Sequence, residues 1–120
     1  MKKQALIIVD HGSSVAFAED GLKRAVEMVK KLRPAMLVKF AHMAVIKPDI
    51  MEEIRNCVND GADEIFVHPL MLSFGKHVLH DIPRLVKEAA DAYPNIKIHI
   101  TEPLGIDEKI AELILERSGL

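Results

Sequence analysis

The chain has few of the residues that mark several large protein classes. It has one cysteine, Cys57, so no disulfide can close within it and nothing points to an oxidising compartment. One cysteine also excludes the cysteine-based zinc sites. There is no tryptophan, one tyrosine and no long basic run. The single basic cluster, Lys30, Lys31 and Arg33, falls near a helix end, where it complements the dipole. Without a basic stripe or an aromatic platform, nucleic acid is not an expected partner. No apolar stretch approaches the ~20 residues of a membrane span, so no membrane partner is expected. The apolar run Ala5 to Val9 is shorter than the roughly 7–15 residues of a signal-peptide core and stops at Asp10, which makes the cytoplasm the expected location. No G-x-G-x-x-G follows the first strand, and there is no G-x-x-x-x-G-K-[ST] or G-x-S-x-G.

What remains is an ordinary globular composition. The 120 residues are 49% apolar and 28% charged, with a net charge of −2. That length suits one domain around one core. Ala5–Val9 is a continuous Ile/Val-rich run of the kind buried on both faces of a parallel sheet. A helix is expected from about Val15 to Leu32, with Leu22, Val26 and Val29 inward, closed by Arg33-Pro34. A second strand spans about 36–43. A second helix opens near Pro48, with Ile50, Ile54 and Val58 inward, and Asp60-Gly61 closes it. Glu64–Val67 is the third strand. A helix over about 77–92 follows, with Ile82, Leu85, Val86 and Ala89 inward and Pro83 tolerated in its early turns. Ile96–Ile100 is the fourth strand. Asp107 to Arg117 is the last helix, with Ile110, Leu113 and Ile114 on one face. The order β-α-β-α-β-α-β-α predicts an α/β layer fold with a parallel sheet and right-handed crossovers.

In such sheets ligands bind beyond the carboxyl ends of the strands. His11, His42, His68 and the loop leading to His77 all fall there, far apart in sequence and convergent in space. Imidazole is the commonest protein metal ligand and a proton acceptor near neutral pH. A loose set of imidazoles could present a divalent ion and take up protons. Each histidine also has a plainer reading. His11 could be a turn residue, and His77 and His80, three apart on one helical face, could be solvated. His68 and His42 suit hydrogen-bonded burial, and His99 reads as a sheet residue without chemistry. Ser13 and Ser14 read as helix N-terminal residues whose backbone N–H groups form an anion site. Cys57, mid-helix, reads as a buried thiol.

V-D-H-G-S after the first strand, P-L-M-L-S-F-G-K-H-V-L-H-D-I-P in the middle and E-P-L-G-I-D-E-K-I-A-E-L-I-L-E-R near the end resemble the short CbiX-type sirohydrochlorin chelatases over nearly the whole chain. The resemblance implies the chelatase fold: a four-stranded parallel sheet with helices on both faces, residues 1–120 forming a single lobe. It implies a homodimer with the active site in a cleft between subunits. It implies an enzyme that inserts a divalent metal, Co²⁺ first and Ni²⁺ or Fe²⁺ as alternatives, into the carboxylate-rich tetrapyrrole sirohydrochlorin without a nucleotide. The family's two active-site histidines correspond to His11 and His77. Family members usually carry a glutamate where this chain has Ala44. His42, two residues earlier, is then expected to be the third metal-facing group. Ser13, Ser14, Ser73, Gly75, Lys76 and His80 are the expected substrate contacts. Gly75 lets the loop backbone approach a flat ligand. Ala44 also keeps open a non-catalytic metal or tetrapyrrole carrier on the same fold.

Overall fold

The computed structural model describes residues 2–13 and 16–120, with the side chains of 16–18 and 77 left aside. The elements run β1 (Gln4–Asp10), α1 (Ala16–Leu32), β2 (Leu37–His42), α2 (Ile50–Asn59), β3 (Glu64–Pro69), α3 (Lys76–Ala92), β4 (Lys97–Ile100) and α4 (Glu108–Arg117). The four strands form one parallel sheet in the order β2-β1-β3-β4. The expected α/β layer fold is therefore present, with every predicted element in place.

The side-chain alternation of the strands sorts the core into two layers. Ala5, Ile7 and Val9 of β1 and Ile65 and Val67 of β3 face α2 and α3, where Ile50, Ile54, Ile82, Val86 and Ala89 complete the larger cluster. Ile8 and Val38 face the other way, against Leu22 and Val26 of α1. Fully burying each large aliphatic side chain stabilises the fold by about 1.5–3 kcal/mol. The larger layer is the main source of stability. Cys57 is buried in it, and burial pushes its thiol up to about 11, so it is an inert core residue.

Two local expectations shift. Pro48 does not open α2. Asp49 is the N-cap, and its carboxylate accepts the Glu52 N–H while the Glu52 side chain accepts the Asp49 N–H. A reciprocal pair of this kind satisfies two orphan donors and outcompetes the proline start. The second concerns α4, whose Ile110, Leu113 and Ile114 were expected on one face. It forms as a helix capped by Asp107, but none of its residues is buried.

Candidate active site

The carboxyl ends of the four strands lie along one edge of the sheet and carry the loops that begin at His11, span 43–49, span 70–75 and span 101–107. The first two loops are tied together. The Met43 N–H donates to the Asp10 carbonyl at 2.9 Å, and the Ala44 N–H donates to the His11 carbonyl at 3.1 Å. Gly12 has φ +91°, a conformation that L side chains rarely adopt, and a Cβ there would lie 1.9 Å from the Ala44 carbonyl oxygen. Only glycine lets the two loops approach this closely. The result is an exposed His11 on a backbone fixed from one side by the β2 loop.

His42, the last residue of β2, is 1% exposed. Its Nδ1 is hydrogen-bonded to Asp10 Oδ1 at 2.6 Å and its Nε2 to Glu19 Oε1 at 3.2 Å. Each ring nitrogen therefore faces one carboxylate oxygen. The bond from His42, with Lys23 adding to it, holds the Glu19 carboxyl below its ordinary range against the opposing effect of partial burial. His42 was the expected third metal-facing group, and here its ring is buried between these two carboxylates. In this arrangement neither ring nitrogen is open to an ion. The strand alternation that placed His42 and Ala44 on one face also stops at His42, because Ala44 lies in the loop.

Of the other expected residues, Ser73, Gly75, Lys76 and His80 are exposed at the same edge, and Ser13 is half-buried there. Ser14 and the His77 side chain lie outside the described residues; the His77 backbone is in the first turn of α3. His68, near the end of β3, is half-buried. Its Nδ1 pairs with Thr101 Oγ1 at 2.7 Å, and burial lowers its pKa. His99 stacks on Phe66, and its Nε2 contacts Glu64, as suits a sheet histidine. Among the described residues no cluster of three His, Cys, Asp or Glu side chains is arranged to hold a metal.

The start of α3 differs from the other helices. The first turns of α1, α2 and α4 carry Glu19, Glu52 and Glu53, and Glu108, as the positive dipole end favours. The first turn of α3 carries no acid, begins with Lys76, and has Gly75 at its N-cap with no capping side chain. A helix N-terminus of this kind, with Lys76 beside it, suits a carboxylate ligand.

Sequence reasoning missed two things here. One is the pairing of Asp10 and Glu19 around His42, which needs three residues brought together from separate elements. The other is an apolar rim: Val45, Leu72, Phe74, Leu79, Leu104 and Ile106 are all exposed along this edge. Val45 is 76% exposed with φ +76°, an outlier for a β-branched residue that nothing in the sequence signals. An apolar rim around histidines and helix N–H groups suits a flat macrocycle with charged substituents.

Comparison with known proteins gives this edge its context. The CbiX family model matches residues 5–119. The sirohydrochlorin ferrochelatase of Bacillus subtilis is 32% identical over 115 residues, which cover 96% of this chain and 44% of that one. A sirohydrochlorin cobaltochelatase of Saccharolobus solfataricus is 36% identical over 119 residues, covering 93% of this chain and 91% of that one. The solved structure of the chelatase SirB from Bacillus subtilis subspecies spizizenii in complex with cobalt aligns with a TM-score of 0.88 at 34% identity, covering 98% of this chain and 50% of that one. The chain thus spans about half the length of the ferrochelatases it matches and nearly all of the cobaltochelatase. With a family match running from its first strand to its last helix, the chain belongs to the CbiX family.

Proposed function

We propose that this chain is a sirohydrochlorin chelatase that inserts Co²⁺, with His11 and His77 presenting the ion and accepting protons. The observation that carries the reading is the exposed His11, locked onto the β2 loop at the carboxyl edge of a CbiX-family sheet. The reaction replaces two pyrrole N–H protons by one divalent ion. An imidazole with a free nitrogen can hold the ion weakly and take a proton as the ion moves into the ring. The start of α3, with Lys76 and His80, receives ring carboxylates, with Ser13, Ser14, Ser73 and Gly75 lining the approach. No step calls for a nucleotide. Cobalt is favoured over iron and nickel because the length-matched relative is named a cobaltochelatase, whereas the ferrochelatases are about twice as long.

The chain is one lobe, and a homodimer completes the cleft. Two features support this. α4 leaves the sheet beside the site, where Leu104 and Gly105 N–H groups are held by the Pro69 and Met71 carbonyls, and it then exposes Leu113, Ile114 and Leu115. A second copy would cover those side chains and also supply the mass that the longer relatives carry in one chain.

Anaerobic insertion into sirohydrochlorin, followed by absorbance with Co²⁺, Ni²⁺ and Fe²⁺ in turn, tests the reading. Wild type should accelerate insertion, fastest with Co²⁺. His11→Ala and His77→Ala should each lose about 10²–10⁴-fold. A folded protein that binds sirohydrochlorin without turnover would favour the carrier, the reading that Ala44 suggests.

A further inference from the structure

We infer that His42 is a positioning residue for His11, acting through the Asp10 carboxylate. The connection is continuous in hydrogen bonds. His42 Nδ1 is hydrogen-bonded to Asp10 Oδ1 at 2.6 Å. The same oxygen accepts the Gly12 N–H at 3.0 Å, so Asp10 bridges over His11 and fixes the peptide that follows it. On the other side, the His11 carbonyl accepts the Ala44 N–H. The peptide that follows the His11 Cα is therefore held at both its carbonyl and its N–H, and the hold on the N–H depends on His42. His42 is itself anchored. Its N–H donates to the Pro48 carbonyl at 2.8 Å, and its Nε2 reaches Glu19 on α1. At 1% exposure the ring has no freedom to swing out. The carboxylate–imidazole–carboxylate cluster thus joins β1, β2 and α1 beneath the loop that carries His11. Ordered partners of this kind set the direction of a reacting side chain, and a misplacement of about 1 Å can cost about a hundredfold in rate.

The two ring nitrogens have different tasks, and this makes the inference testable. An asparagine amide nitrogen falls near the position of Nδ1, so His42→Asn keeps a donor for Asp10 and loses Glu19. A glutamine amide reaches the position of Nε2, so His42→Gln keeps Glu19 and loses Asp10. His42→Phe fills the volume and loses both. Metal insertion should be measured for all three folded variants. His42→Asn should keep kcat within about threefold of wild type. His42→Gln and His42→Phe should lose about ten- to a hundredfold in kcat, with the KM for sirohydrochlorin within about twofold. Equal loss in the Asn and Gln variants, or full activity in either the Gln or the Phe variant, would overturn the inference. If the Phe variant does not fold, the Asn and Gln pair decides.

The kinetic readout rests on the chelatase reading, so a second readout is independent of it. Amide hydrogen exchange at Gly12 should speed up in the Gln and Phe variants and stay slow in the Asn variant. Unchanged Gly12 protection in His42→Gln would overturn the positioning role. A wild type without insertion activity, but with the expected exchange pattern, would instead sink only the chelatase reading.

Discussion

Strands β1 and β2 are covered on both faces, by α1 on one side and by α2 and α3 on the other, whereas β3 and β4 are covered by helices on one face only among the described residues. On their other face Phe66 and His99 stack on each other at 4.8 Å, with the His99 side chain 43% exposed. No residue of the helix that follows β4 is fully buried. The first half of the sheet is complete within one chain, and its loops are fixed by backbone bonds and a buried cluster. The second half ends in apolar surface. In the proposed homodimer the first region would hold the reacting groups and the second would meet the partner copy.

The sharpest way to break the ordered half is Gly12→Ala. It places a Cβ against the Ala44 carbonyl at a φ that alanine disfavours. Chemical denaturation should show a loss of about 3 kcal/mol, and insertion activity should fall with it. The corresponding change in the open half is Leu113→Ser with Ile114→Ser. Both side chains are exposed in the single chain, so unfolding of the monomer should shift by less than about 0.5 kcal/mol per site. Sedimentation should nevertheless show a dimer becoming a monomer. A dimer that persists would detach α4 from the interface.

A smaller effect probes the buried edge of β2 and α2. Glu53 is 8% exposed, and burial raises its carboxyl pKa, with the Asn56 side chain pulling the other way. A carboxyl raised on folding binds protons more readily in the native state. Its contribution is therefore fully favourable below the unfolded pKa and is lost as pH rises through the folded value. Glu53→Gln removes that loss and can keep the contact with Asn56. Its melting temperature should exceed wild type by a few degrees at pH 7–8, and the difference should vanish near pH 4. A constant difference across that range would mean that burial of the charge is not its cause.

The sequence by itself determined the elements, their order and the main buried stripes. These depend on short-range periodicity: Ile50 and Ile54 four apart, Ile82, Val86 and Ala89 on one face, an Ile/Val run between turns. It also brought the histidines to one edge, because strand ends in a parallel sheet share that edge. Only the tertiary structure decided which partners His42 and His68 take there. His42 could be placed on a face of β2 from its spacing, but its partners Asp10 and Glu19 come from two other elements, and no local pattern records that they meet. Once they do, a buried ring between two carboxylates is held as a brace. The same reason applies to α4. Periodicity shows that a helix has an apolar face, but whether the chain's own sheet covers that face is settled by where the preceding loop directs it.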